Sequence, residues 1–164
     1  MTKDNVKIPP HSIEAEESVL GSLLIDKDAI IVVSEILSQD DFYDIKHKEI
    51  FSACLSLFEQ RTPIDLVTVS EYLKKQKSLK GIGGSSYLTQ LVNKVPTAAH
   101  VEHYGKIVKD LSTKRFLVSS ATNIVEMSYD TTLSSDDLLD RAESKIFSLT
   151  QKRALKTFAP VKDA

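Results

Sequence analysis

Between Thr97 and Tyr129 the chain runs thirty-three residues with no proline and one glycine, Gly105, and its apolar residues recur at helical spacing. At about 100° per residue, Val101, Tyr104, Ile107, Val108, Leu111, Val118, Val125 and Tyr129 fall on one stripe. Over the second half of the segment, Phe116, Leu117, Ile124 and Met127 form another on roughly the opposite side. One stripe can be buried against a neighbouring helix, whereas two need a second surface. In a chain of 164 residues that surface is expected on another copy or another protein, which points to a scaffold that assembles.

The length suits one domain or a domain with an appendage, and 41% hydrophobic with 27% charged residues describes an ordinary globule. A net charge of −2 gives no global attraction to nucleic acid or anionic lipid, so tight autonomous duplex binding is not expected. The single cysteine, Cys54, excludes an internal disulfide or a thiolate zinc cage and agrees with a reducing cytoplasm. No apolar run approaches the roughly 18 residues of a membrane helix, so no membrane partner is expected. The amino end carries lysines but no apolar region behind them, so it is not a signal peptide. A cytoplasmic location follows.

Residues 1–10, closed by Pro9-Pro10, read as a flexible arm. A helical head is expected over 11–96, a helical hairpin over 97–151 and the start of a linker over 152–164. Ser12 is a credible N-cap for the first helix, with Glu14, Glu16 and Glu17 as first-turn acids that suit the helix dipole. Asp28 can cap a second helix, 29–37. The run Ile30-Ile31-Val32-Val33 could equally be a strand, but nothing nearby reads as its partner. A third helix covers 44–60, and Asp65 caps a fourth over 66–76. Residues 77–84 form a loop, 85–94 a fifth helix, and Pro96 breaks the chain before the long one. Ser134 followed by Asp137 resembles a capping box opening a last helix over 135–151, which aligns Leu138, Ala142, Ile146 and Leu149 and leaves Phe147 pointing away. The fold class is therefore all-α, a globular head of about five short helices followed by an antiparallel hairpin.

Catalytic chemistry finds little support. His100 and His103 stand three apart on a helix, without H-E-x-x-H spacing or an assignable third ligand, so no metal site is assigned. His11 and His47 read as packing or capping residues. The glycines at 81, 83 and 84 follow no strand and precede no Lys-Ser/Thr pair, so they are turn glycines and not a phosphate-cradling loop. Lys74, Lys75, Lys77 and Lys80 crowd a helix C-terminus, where the dipole favours them; a solvated face is the simpler reading and a phosphate contact the other. No serine has a recognisable base partner, and Asp40-Asp41 and Asp136-Asp137 read as caps. No catalytic, cofactor-binding or metal residue is assigned.

Five strings occur in order: PPHSIEAEESVLGSLLIDKDA at 9–29, DDFYDIKHKEIF at 40–51, TPIDLVTVSEYL at 62–73, GGSSYLTQLVNKVPTAAHVEHYGKIVKD at 83–110 and LLDRAESKIFSL at 138–149. Together they resemble the N-terminal domain of the bacterial replicative DNA helicase, the DnaB family, over about residues 9–158. The resemblance implies a helical head and hairpin. It also implies subunits that pair through their hairpins into a collar, a trimer of dimers above a hexameric motor. The implied partners are sister subunits, primase and, within the full ring only, single-stranded DNA; a helicase loader is admitted. The motor in that family is a separate RecA-like domain with the P-loop, the magnesium-binding acid and the arginine finger. None of those motifs is in this sequence, so ATP and magnesium are expected only in such a motor, and this chain alone is expected to be non-catalytic. Residues 158–162 resemble the approach to the linker.

The residue pattern and the resemblance meet on the hairpin. Phe116, Leu117, Ile124, Met127 and Phe147 are the predicted subunit interface, each worth about 1.5–3 kcal/mol if fully buried, before ordering costs. The alternatives are a stand-alone helical adaptor with the same head and hairpin, a metal hydrolase built on His100 and His103, and a DNA-binding module, which the net charge disfavours.

Overall fold

A computed structural model describes residues 7–158, with side chains as far as Gln151. The elements are α1 (Ile13–Ile25), α2 (Ala29–Ile36), a 3-10 turn (Gln39–Asp41), α3 (Ile45–Glu59), α4 (Leu66–Lys75), α5 (Gly84–Lys94), α6 (Val101–Ser128) and α7 (Ser135–Phe158), with no strand among the described residues. Contacts group residues 11–110 into one compact unit; a second begins at Leu111 and includes the described end of the arm, residues 7–10. The arm expected over 1–10 and the linker expected over 152–164 fall mostly outside the described side chains, although α7 continues past Gln151 to Phe158.

Local chemistry explains where the helices start. The Ser12 hydroxyl accepts a hydrogen bond from the Ala15 amide at 3.1 Å and the Asp44 carboxylate accepts from the Lys46 amide at 2.9 Å. Asp65 and Thr68 form a reciprocal box, each side chain accepting from the other's amide at 2.9 Å. The cap expected of Asp28 is not made. Asp26 instead accepts from the Asp28 amide at 2.9 Å, closing the turn one step earlier. Gly83, in the left-handed region at φ 106°, leads into α5.

The first unit wraps a core running from Ala15 to Val108. The Ile30–Val33 run is helical, with Ile30 and Val33 inside and Ile31 and Val32 exposed, the i, i+3 spacing a strand could not produce. Helices α1 and α5 meet at Gly21: a Cβ there would lie 2.5 Å from both the Leu91 carbonyl oxygen and Val95 Cγ2. The absence of a side chain is what allows this approach. Although Pro96 suggests a joint at 96/97, the first turns of α6 belong to the head, because Val101 and Val108 are buried and Tyr104 and Ile107 pack on the core. Lys109 Nζ also reaches the buried Asp41 carboxylate at 3.3 Å.

Candidate assembly surface

Beyond Asp110 the chain is a two-helix unit. Phe116 and Ser120 of α6 line one groove with Lys145, Ser148 and Leu149 of α7. Asn123 and Met127 line another with Arg141, Ser144 and Lys145. Residue numbers rise on α6 as they fall on α7, so the hairpin is antiparallel. At its tip the Asp130 carboxylate accepts from the Thr132 hydroxyl at 2.7 Å and the Thr132 amide at 2.9 Å, hydrogen bonds that hold its pKa below the ordinary value. The Ser134 hydroxyl accepts from the Asp137 amide at 3.1 Å and opens α7.

The five predicted interface residues take two positions. Phe116, Ile124 and Met127 are half-buried, and Phe116 and Met127 lie in the grooves shared with α7. Leu117 and Phe147 are exposed, Phe147 by 62%. Val118, Val125, Leu139 and Ile146 are exposed as well, although the sequence pattern places Val118 and Val125 on the other stripe of α6, aligns Ile146 with Leu138, Ala142 and Leu149 on the apolar face of the last helix, and gives Leu139 no role. Val118 and Val125 continue from Leu111 at seven-residue steps, and Leu139 and Ile146 repeat the step on α7, which keeps each set on one side of its own helix. From Thr113 to Gln151 no residue is buried. The surface can therefore offer apolar area along two helices.

The head contains a polar cluster that could be mistaken for a catalytic relay. Glu16 is buried and accepts from the Tyr43 amide at 2.6 Å and the Asp44 amide at 3.3 Å. His47, fully buried, places Nδ1 2.7 Å from Glu16 Oε1 and Nε2 2.6 Å from the Tyr87 hydroxyl. Tyr87 also donates to Glu17 at 3.3 Å, and Glu17 pairs with Lys94. Burial and then the Glu17 charge push the Tyr87 pKa well above its ordinary value, while the bond to Glu17 raises that of Lys94. Each of these groups finds its partner inside the cluster, so the arrangement clasps α1, α3 and α5 together. The packing role expected of His47 is seen here, and His11 stacks on Tyr43 with ring centroids 4.1 Å apart. His100 and His103 are exposed, and among the described residues no three His, Cys, Asp or Glu side chains gather as metal ligands. No helix is long and apolar enough to cross a membrane among the described residues.

A family model described as the DnaB-like helicase N terminal domain matches residues 8–110. The chain is 41% identical over 159 residues to the replicative DNA helicase DnaC of Bacillus subtilis (strain 168), covering 97% of this chain and 35% of that protein. It is 43% identical over 157 residues to the replicative DNA helicase DnaB of Geobacillus stearothermophilus, covering 96% and 35%. It thus spans about a third of the length of these curated relatives. The crystal structure of the N-terminal domain of DnaB helicase from Mycobacterium tuberculosis superposes with a TM-score of 0.81 at 38% identity, covering 85% of this chain and 99% of that one. A DnaB-like replicative helicase, solved in a study of its interactions with primase, shares the fold with a TM-score of 0.69 at 24% identity, covering 84% of this chain and 30% of that one.

Proposed function

Since the chain belongs to the DnaB-like helicase N-terminal domain family, we propose that it is the non-catalytic assembly and docking domain of a replicative helicase acting in the cytoplasm. Its work is to hold subunits together as a dimer and, three dimers at a time, as the collar of a hexameric ring that offers primase a platform. DNA unwinding, and the ATP and magnesium that drive it, belong in this reading to a motor domain. This chain has no G-x-x-x-x-G-K-[ST] sequence to cradle a nucleotide. Single-stranded DNA passes through the ring as a whole, and a loader protein meets the assembled particle.

The observation that carries this reading is the exposed apolar surface of the hairpin. Val118, Val125, Leu139, Ile146 and Phe147 are all exposed, and no residue from Thr113 to Gln151 is buried. Full burial of such a side chain gives roughly 1.5–3 kcal/mol, and these five are 41–66% exposed, so covering them gives about half of that each, against an association cost of about 4–15 kcal/mol, which fits at most a dimer of modest affinity. Sedimentation velocity over a concentration series tests it. Val125→Asp and Phe147→Asp are expected to shift the chain towards monomer with helical circular dichroism unchanged. Association that both variants leave intact would reject the assignment.

A further inference from the structure

The clasp in the head has more contacts than a neutral histidine can serve. Glu16 meets donors on both oxygens, the Tyr43 amide on Oε2 and the Asp44 amide with His47 Nδ1 on Oε1, the arrangement of an acceptor-only carboxylate. His47 Nδ1 therefore carries a proton. Tyr87 stands between two partners, 2.6 Å from His47 Nε2 and 3.3 Å from Glu17 Oε2. Its hydroxyl has a single proton to give, and burial with the Glu17 charge keeps that proton on the oxygen. Three contacts, Glu16 to His47, His47 to Tyr87 and Tyr87 to Glu17, need three protons. A neutral imidazole and a tyrosine hydroxyl supply two.

We propose that His47 is a proton sensor and Tyr87 its relay: uptake of one solvent proton at His47 Nε2 turns the Tyr87 hydroxyl from His47 to Glu17. With the imidazole neutral, Nε2 is bare and accepts from the hydroxyl. With the imidazole charged, Nε2 donates to the Tyr87 oxygen and the hydroxyl proton reaches Glu17. The heavy atoms already stand within hydrogen-bonding distance for both states, so rotation of the hydroxyl is enough. The surrounding charges favour the uptake. Glu16 and Glu17 of α1 and Asp44 ahead of α3 are the carboxylates around the cluster, and Glu14 of α1 acts on Lys94. Lys94 is taken by Glu17, and Lys46 Nζ sits 4.4 Å over the Tyr87 ring. Among the described residues no lysine or arginine pairs with the buried Glu16, so an imidazolium is the cation within its reach. The response emerges where Glu17 and Lys94 edge a groove with Gln90 and Asn93. Protonation adds a second α1–α5 tie, Tyr87 to Glu17, beside that of Lys94. This reading stands on the clasp and is independent of the hairpin's role.

Nitrogen-15 and carbon-13 NMR of the full chain, over the pH range in which imidazole titrates, is the test. At the upper end His47 is expected with Nδ1 protonated and Nε2 bare, and at the lower end with both protonated. The Glu17 carboxyl carbon is expected to step at the His47 midpoint, and that of Glu126, on the hairpin, to show no step there. Tyr87→Phe keeps the ring and removes the relay, so the Glu17 step should shrink to the through-space effect of the new charge. Three outcomes overturn the proposal: a neutral His47 whose bare nitrogen is Nδ1, a wild-type Glu17 resonance that does not move with His47, or a step in Tyr87→Phe as large as in wild type. The first two are read on the wild-type chain, so a variant that failed to fold would not shield the proposal.

Discussion

The same substitution, glycine to alanine, is expected to have opposite effects at two buried glycines. In both Gly21 of α1 and Gly105 of α6, alanine restores helix propensity worth about 1 kcal/mol. At Gly105 the added methyl meets Ile36 Cδ1 at 3.6 Å, an ordinary contact, so the gain is kept. At Gly21 it would stand 2.5 Å from the Leu91 carbonyl oxygen and from Val95 Cγ2. The valine can turn, but the carbonyl belongs to the α5 backbone, so α5 must move away. Overpacking of a core costs about 1–3 kcal/mol, and displacing a helix belongs at the upper end. That shift would also loosen Leu88 and Leu91, both buried, and strain the Tyr87 bond to His47. The expected net loss is about 2 kcal/mol for Gly21→Ala, against a gain of about 1 kcal/mol for Gly105→Ala. In thermal melts these become a drop of about 4–8 °C and a rise of about 2–4 °C. Protein concentration must be held constant, because association alters the apparent midpoint. A Gly21→Ala chain as stable as wild type would refute the close α1–α5 approach.

Other perturbations test the rest of the head. Glu16→Ala leaves the Tyr43 and Asp44 amides and His47 Nδ1 without their acceptor in a buried site, and should cost about 3–5 kcal/mol in urea denaturation. A loss under about 1 kcal/mol would mean the clasp contributes little. Burial pushes the Cys54 thiol up to about 12, so at pH 8 a thiol reagent should label it only as fast as the head opens, and faster in Gly21→Ala. Because the folded thiol holds its proton more tightly than the unfolded one, stability should fall as pH rises from about 8.5 towards 12. Rapid stoichiometric labelling of native protein would contradict the burial.

Much of the fold was legible because it is local. Ser12, Asp44 and Asp65 mark their helices by a chemistry that needs only three or four neighbours, and the i, i+3 spacing of Ile30 and Val33 is in the chain itself. What was not legible depends on residues far apart in sequence. Phe42, Ile64 and Ile82 are core residues sitting in connections, where no period announces them. Glu16 reads as a first-turn acid, yet its partner His47 is 31 positions away. Gly21 gives no signal at all, since only the arrival of α5 makes its missing side chain necessary. On the hairpin, both stripes of α6 could be read, but not which one α7 would partly cover. Phe116 and Met127 turn towards α7, while Val118 and Val125, members of the stripe whose first turns enter the head core, end exposed.

The contrast between the two units is itself an argument for assembly. The head closes its own core, and Leu20 and Leu23 of α1, Ile50 and Leu57 of α3 and Leu88 and Leu91 of α5 are buried in one cluster. The hairpin has only half-buried side chains such as Phe116, Met127, Leu138 and Leu149 between its helices. Holding one backbone residue in place costs about 1–2 kcal/mol, and isolated helices are marginal even at favourable composition. The proposed assembly would cover Val125, Leu139 and Phe147, which are exposed, and the seven-residue steps of Leu111, Val118 and Val125 keep these three on one side of α6 for such a contact. In the proposed dimer a twofold-related copy would bring an identical repeat to the same place, so pairing would need no partner of different sequence.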